Sequence, residues 1–488
     1  NTFLYLFLPL SLIIFLIAKK ARPRSAVLLA FSLLFYAYSG LKGLLFMLVF
    51  AAFIWVCGRA QERLAEGKRR DLAYGVTILA ALAPLFCFKY WNYIGALIRS
   101  FGVGLPAIVL KAAVPLGISF ITFSAISYVT DVRRHQAPAG TFPETLLYLL
   151  LFTKAASGPI VRWKEFRACG PQPGNAAGLQ PGAAGTDLAA VSGSTLDDLY
   201  AGCRRAVIGL AKKLLLADYF GSVIVTIETG TAGGSDWLTR VFIAVLYTLQ
   251  IYYDFSGYSD IAIGLSRCFG YRFRENFNYP YRSRSVTEFW RRWHISLGEW
   301  FREYLYIPLG GNRRGQARTL INLAIVFLAT GIWHGAGLNY LFRGCLHGVA
   351  MLIERVTGWA KRTEKKPLAA GLGWIITILI VGIGWQAFRL DGGKALFSFY
   401  RDLLDPREIG IVTFTWRYFL NPRLVTMALI GVLGALGVHE KALGRLRELA
   451  EGKPAWAVLT NLGLIALFLL ALMMMVNADY RPFIYFQY

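Results

Sequence analysis

Apolar residues come along this chain in long blocks, broken by short basic or glycine-rich pieces. A helix crossing a hydrocarbon core of about 30 Å needs roughly 20 mainly apolar residues, so blocks of this kind read as membrane spans. Spans are expected near Thr2 to Ala18, Ala26 to Cys57, Leu72 to Phe88, Pro115 to Val129, Leu146 to Ala156 and Trp237 to Gly264. More follow at Leu320 to Trp333, Leu338 to Ile353, Gly371 to Ala387, Leu424 to Leu436 and Trp456 to Met474. The second block is long enough for a hairpin or one broken element, and several others are too short to cross unaided. Lys19, Lys20, Arg22 and Arg24 follow the first block instead of preceding it, and no small-residue cleavage site ends it. It therefore reads as a retained helix and not as a secretory signal.

Composition sharpens this picture. Only 16% of the residues are charged and 56% are hydrophobic, against about 25% charged in ordinary soluble domains. The net charge of +24 comes from 52 Lys and Arg against 28 Asp and Glu. In a membrane protein such an excess marks the loops kept in the cytoplasm, so it gives no ground for nucleic-acid binding. Basic stretches follow the first span and recur at Arg59 to Arg70. The chain between them should cross an even number of times, which the hairpin reading satisfies and which puts Asn1 outside the cytoplasm. Six cysteines are scattered without metal or redox spacing and read as small apolar filler, with a functional thiol as the alternative.

One segment departs from the apolar texture. Residues 169–196 are rich in Gly, Pro, Ala and Ser with hardly any charge, a composition that buries too little apolar surface to offset its ordering entropy, so a flexible loop is expected. Leu199 to Asp218 then sets Arg204, Arg205, Lys212 and Lys213 among apolar residues, which suits either an amphipathic helix in the headgroup plane or the cationic end of a span. No internal repeat is visible, and a single membrane-embedded domain over residues 1–488, with a catalytic core at about 237–356, is the simplest organisation.

Polar residues inside apolar blocks need a reason. Asp254, Ser256, Tyr258, Ser259 and Asp260 interrupt the block near 250–265. An acid there costs roughly 2.5 to 3.5 kcal/mol on insertion scales, so it should face a cavity or a cation, either as a helix-pairing network or as a substrate contact. Asp254 and Tyr258 share a helix face at i and i+4. Ser285 and Glu288 have capping-box spacing, so a helix should begin near Val286. That helix alternates aromatic residues (Phe289, Trp290, Trp293) with Arg291 and Arg292 and is expected to carry His294 in its middle. Such a mixture suits an interfacial anchor, and it also suits cations that meet the phosphates of a nucleotide-bearing donor. The glycine-rich stretch 308–315 reads as a turn or an anion-binding backbone. Further on, an apolar helix delivers Trp333 and His334 directly before Gly335 and Gly337, and His347 follows one element later. Imidazole titrates near neutrality and can take a proton from a hydroxyl or thiol. Metal ligation is the rival, but no HExxH or similar spacing and no cysteine cluster accompanies these histidines, so no metal site is expected.

These residues carry a family resemblance. IYYDFSGYSDIAIGL, then NFNYPYRSRSVTEFWRRWHISLGEWFREYLYIPLGGNR, then GIWHG resemble the membrane-bound O-acyltransferases, in the bacterial branch that holds the alginate O-acetyltransferase membrane subunit. FLYLFLPLSLIIFLI, LLFYAYSG, VPLGISFITFSAISYVTDVRR, SGPIVRWKEF and PFIYFQY extend the likeness over nearly the whole chain outside residues 169–196. The resemblance implies an all-α polytopic membrane protein, a ring of tilted transmembrane helices around a central funnel with interfacial and re-entrant helices. It implies that His334 is the catalytic histidine and that His294 lies across the reaction chamber. Asp254, Tyr258, Trp290, Arg291, Arg292 and Trp333 stand as candidate donor- or substrate-binding residues beside them.

The activity so implied is O-acetylation of an exported polysaccharide such as alginate or cellulose from cytoplasmic acetyl-CoA across the bacterial inner membrane. Acetyl-CoA is a donor substrate and no permanently bound cofactor is expected. Implied partners are a periplasmic, hydrolase-like acetyl acceptor, exopolysaccharide-pathway proteins and membrane lipid. The uninterrupted YLYIPLGGNRRG favours this branch over the related one that carries D-alanine to teichoic acid. A proton-coupled transporter would use the same intramembrane acids and histidines, but inverted halves are not visible. An export scaffold would explain the many passes and not the buried polar clusters.

Overall fold

A computed structural model describes residues 2–18, 20–100, 114–155, 157–169, 195–230, 236–335, 337–390, 392–404, 415–450 and 452–477. The low-complexity segment expected to be a flexible loop lies, except for its ends, outside the described residues. Every regular element among the described residues is helical, and a single isolated bridge joins Phe277 to Trp293. The residues group into two compact units, one of residues 1–206 and 262–275, the other of 207–261 and 276–488.

The first unit opens with α1 (Phe3–Ile17), α2 (Ala21–Ser39), α3 (Leu41–Arg63), α4 (Lys68–Leu85) and α5 (Trp91–Ser100). The long block at Ala26 to Cys57 is a hairpin: α2 ends and α3 begins at Gly40, whose φ of 148° few other residues adopt. Next come α6 (Ile118–Arg133), α7 (Phe142–Leu150), α8 (Trp163–Cys169) and the start of α9 (Leu196–Ala211). Helix α6 is buried along almost its whole length and packs on α3, α4 and α7. The approach is close at Gly58 of α3, where a Cβ would lie 2.2 Å from the Tyr128 ring. Basic residues outside the apolar blocks close helix ends here. Arg70 donates from Nε to Gln61 O at 3.0 Å and from Nη2 to Arg133 O at 2.8 Å, satisfying carbonyls that the last turns of α3 and α6 leave without helical partners. Cysteines far apart in sequence also meet: Cys203 and Cys268 place their sulfurs 3.8 Å apart.

The second unit holds α10 (Asp218–Gly230), most of α11 (Trp237–Cys268), α12 (Val286–Arg292), α13 (Ile295–Phe301), α14 (Gly315–His334) and α15 (Leu338–Thr357). It continues with α16 (Trp359–Lys365), α17 (Pro367–Arg389), α18 (Gly392–Leu404), α19 (Trp416–Phe419), α20 (Pro422–Leu436), α21 (His439–Ala450) and α22 (Pro454–Asn477). Helices α14 and α15 form an antiparallel hairpin against which α17 and the short α12 pack. The core of this unit is aromatic: Tyr252, Phe255, Tyr281, Phe289, Trp293, Trp385 and Phe388 are all buried in one cluster.

Among the described residues five helices are long and apolar enough to cross a membrane: Leu41–Arg63, Lys68–Ala96, Gly315–His334, Pro367–Arg389 and Pro454–Val476. A sixth span is added if Pro422–Leu436 and His439–Ala450, bent by 79° at their junction, act as one. These helices expose their apolar side chains; Val49, Leu79 and Leu379 are examples. Contiguous apolar exposure of this extent belongs against lipid, and the chain is an all-α polytopic membrane protein. The first apolar block forms only the 15-residue stretch Phe3–Ile17, short of the roughly 20 residues a span needs.

Candidate active site

All the candidate residues fall in the second unit. The hairpin of α14 and α15 is drawn together by glycine: a Cβ on Gly331 would lie 2.8 Å from Tyr340 O, and one on Gly344 2.7 Å from Phe327 O. His334 is the last residue of α14 and is 3% exposed. The chain turns immediately after it, and at Gly335 any larger residue would put its Cβ 2.2 Å from the Tyr340 ring. The imidazole is walled by the Trp333 ring at 4.7 Å and by Phe388 of α17 at 5.0 Å, edge to face.

Helix α15 presents one face to this wall through residues spaced by four. Asn339 Nδ2 donates to Ala387 O at 2.8 Å and to Leu390 O at 3.3 Å, closing the end of α17. Arg343, buried, holds its guanidinium over Phe388 at 4.3 Å, Trp385 at 5.1 Å and Trp290 at 5.3 Å. His347 stacks edge-on against Trp290 at 5.1 Å. Both of its ring nitrogens are buried with no hydrogen-bond partner among the described residues. Gly384 makes room for that ring, since a Cβ there would meet His347 Nε2 at 2.5 Å.

A helix does begin at Val286, as the capping pair predicts, and Ser285 Oγ accepts from Glu288 N at 3.0 Å. The reciprocal half of the box is displaced, because Glu288 Oε2 accepts from Arg284 N at 2.9 Å. The remaining amides are capped from α15: Glu354 accepts from Val286 N at 2.7 Å, Thr287 N at 2.8 Å and Thr287 Oγ1 at 2.7 Å.

The expectation that His294 sits mid-helix is corrected. Helix α12 ends at Arg292, Trp293 is extended and bridges to Phe277, and His294 adopts φ 46°, ψ 54° as the N-cap of α13. Trp293 breaks the helix because its ring is taken into the aromatic core, 4.5 Å from Trp385 and 5.0 Å from Phe277. Left-handed backbone costs a residue with a Cβ roughly 1 to 2 kcal/mol, and here two backbone hydrogen bonds hold it: Asn278 N to Arg292 O and Ile295 N to Asn276 O, both 2.9 Å. Phe255 packs edge-on against the His294 imidazole at 4.7 Å. Burial first, and then the Arg343 guanidinium, push that imidazole down to about 3.

The other candidates divide. Asp254 is buried and pairs with Lys213 Nζ at 2.6 Å, and the same ammonium reaches Asp218 at 2.8 Å. Lys212 pairs with Asp260 at 2.6 Å. Both lysines lie in the π-helical stretch Lys212–Ala217. Tyr258 is half-buried on α11. Trp290 is half-buried between Phe327, His347 and Arg343, and Trp333 lies beside His334. Arg292 is engaged by Glu288 Oε1 at 2.9 Å and Asn278 O at 3.2 Å, whereas Arg291 is exposed. No group of three or more His, Cys, Asp or Glu assembles to hold a metal among the described residues.

His334 and the turn of His294 are thus tied into one core. Phe388 touches His334 and Trp385, and Trp385 touches Trp293, the neighbour of His294. Sequence reading missed residues that build it, among them Trp385, Phe388, Arg343, Asn276 and Glu354. Arg343 did carry a signal, a cation inside an apolar helix one turn before His347. Asn276 and Glu354 carried none, since each acts on a distant segment.

Comparison with known proteins identifies the family. The profile of the membrane-bound O-acyltransferase family matches residues 32–374. A probable alginate O-acetylase of Pseudomonas aeruginosa is 33% identical, covering 100% of this chain and 99% of its own. A peptidoglycan O-acetyltransferase of Helicobacter pylori is 29% identical over 84% of the chain and 80% of its own. A teichoic acid D-alanyltransferase of Streptococcus thermophilus is 28% identical over 55% of the chain and 66% of its own. With that profile matched over most of its length and a relative 33% identical along all of it, the chain belongs to the membrane-bound O-acyltransferase family.

Proposed function

We propose that the protein transfers acetyl groups from acetyl-CoA, supplied on the cytoplasmic side of the inner membrane, toward a hydroxyl acceptor on the far side for O-acetylation of an exported polysaccharide. The observation that carries the reading is the placement of His334, buried at the end of α14 between Trp333 and Phe388. Full-length similarity to an alginate O-acetylase favours acetyl over D-alanyl transfer and makes alginate the first polymer to test.

In this mechanism His334 accepts the proton of the acceptor hydroxyl as its oxygen attacks the thioester carbonyl. The tetrahedral intermediate collapses with cleavage of the C–S bond, and the imidazolium returns the proton to the departing thiolate. The acetyl ester and the free thiol of coenzyme A are the products. Arg291 meets the donor phosphates, and Trp290 and Trp333 line the approach. Asp254 and Tyr258 act on α11, Asp254 by ordering the helix through Lys213. The acceptor is a periplasmic, hydrolase-like partner that hands the group to the polymer.

The test is purified protein in nanodiscs given acetyl-CoA with and without alginate oligomers or a polymer-pathway hydrolase. Release of coenzyme A thiol, stimulated by the acceptor, is the expected result. Failure of folded protein to bind any acyl-CoA overturns the reading, and turnover only with a D-alanyl carrier protein assigns the chain to the other branch.

A further inference from the structure

The turn that holds His294 is organised around one amide. Asn276 is 1% exposed, and its side chain makes four polar contacts. Its Oδ1 lies 2.9 Å from Ser296 Oγ, 3.2 Å from Ser296 N and 3.2 Å from His294 Nδ1, while Nδ2 donates to Ser259 Oγ of α11 at 2.9 Å. A backbone N–H can only donate, so the atom facing Ser296 N has to be the amide oxygen. The same oxygen faces the imidazole and can only accept from it. A proton on Nδ1 completes that contact and leaves the lone pair on Nε2.

We propose that Asn276 is a positioning residue for acyl transfer, holding His294 as the neutral Nδ1–H tautomer so that Nε2 meets substrate as a hydrogen-bond acceptor. In that state His294 receives a substrate O–H or N–H and does not polarise the thioester carbonyl, which separates its role from that of an oxyanion donor. The proposal rests on the acyl-transfer reading of this site. Charge around the ring supports it: the field of Arg343 on α15 reaches the imidazole, and together with burial it opposes protonation. From α11 the ring meets Phe255, and from its own turn Ser296.

Two substitutions separate positioning from bulk structure. Asn276→Asp keeps an acceptor for Ser296 N–H, Ser296 O–H and His294 Nδ1–H, and the Ser259 hydroxyl can turn to donate to its second oxygen. Its negative charge favours the imidazolium. Turnover of acetyl-CoA by the Asp variant at pH 8 is expected to stay within about threefold of wild type, and the pH profile of its His294 imidazole, read by nitrogen-15 NMR, to move up by roughly a unit or more. Asn276→Leu removes the acceptor and is expected to lower kcat by about tenfold or more with the KM for acetyl-CoA unchanged.

An Asp variant whose pH profile superimposes on that of wild type, or a Leu variant with wild-type turnover, would overturn the proposal. Should the Leu variant fail to accumulate, the Asp profile decides alone. Nitrogen-15 NMR of histidine-labelled protein reads the tautomer without any turnover, with His294 assigned by its absence in His294→Gln. A proton on Nδ1 is expected and one on Nε2 overturns the assignment. Absence of acetyl-CoA turnover in wild type would count against the acyl-transfer reading, while the tautomer would still be decided by the spectrum.

Discussion

His334 and His347 lie on neighbouring helices and face the same aromatic wall, yet their surroundings differ. His334 ends a helix where the chain turns away, beside the only glycine-bounded break in that hairpin among the described residues, whereas His347 is enclosed by Trp290, Trp385 and Gly384. Two buried nitrogens without partners are a cost, because each unsatisfied polar atom loses about 1 to 3 kcal/mol of hydration. His347→Leu should therefore leave insertion and the thermal midpoint at or above the wild-type values and spare most of the activity; loss of donor binding would instead assign His347 to the site. Arg291 and Arg292 are adjacent and equally cationic in sequence, but Arg292 is already engaged by Glu288. Arg291→Ala is expected to raise the Kd for acetyl-CoA, more at low salt than at high, and Arg292→Ala to act mainly on stability. Equal, salt-independent effects in titration would return both to the role of anchors. Titration of His294 also has a sign. A folded value near 3 against about 6.5 unfolded means the unfolded chain binds more protons between those limits, so its contribution is complete above about pH 6.5 and is lost as pH falls toward 3. His294→Asn should accordingly show a shallower drop in thermal midpoint between pH 7 and pH 5.

Two elements position the site, and each was only partly legible. The start of α12 could be read from Ser285 and Glu288, but its principal cap is the Glu354 carboxylate, 68 residues further on, and no local pattern signals a partner at that distance. Glu354→Ala should cost about 1 to 2 kcal/mol from the loss of a cap and lower activity along with stability, with Glu354→Gln recovering part of both; an unchanged thermal midpoint would contradict the capping role. The end of α12 was misread, because helical periodicity continues through Trp293 and His294 while tertiary packing of the Trp293 ring breaks it. On α11, intramembrane acids signalled a buried network or a substrate site from sequence alone, and the partner was visible only in space: Lys213 lies 41 residues away and reaches both Asp254 and Asp218. Lys213→Met, which strands two carboxylates, should cost about 3 to 5 kcal/mol and show as poor accumulation. Adding Asp254→Leu to it should restore part of the loss, and a double variant worse than the single one would contradict the pairing.

For the whole molecule, the apolar blocks were legible because a span is recorded in one dimension, by length and composition. Each of the eleven expected blocks overlaps a helix, but among the described residues only five helices, or six with the bent pair, are long and apolar enough to cross a membrane; α7 has nine residues, and the first block forms a helix shorter than a span. The helices α5, α8, α10, α16, α18, α19 and α21 went unread, most being too short or too polar to stand out as blocks. The family resemblance supplied what periodicity could not, the expectation that His334 and His294 take part in the chemistry. Residues 174–192 carry one charge, Asp187, and only Leu179, Leu188 and Val191 as larger apolar residues, so their deletion should leave insertion and turnover nearly intact; loss of turnover with normal accumulation would make that segment a functional contact. The central claim is that a buried histidine at the end of α14 takes the acceptor proton during transfer from acetyl-CoA. Its most direct test is release of coenzyme A thiol by wild type and His334→Ala in nanodiscs, with acetyl-CoA affinity measured on the same samples. The account predicts a fall of about 10² to 10⁴ in turnover with affinity retained, and near-wild-type turnover in the His334→Ala protein would contradict it.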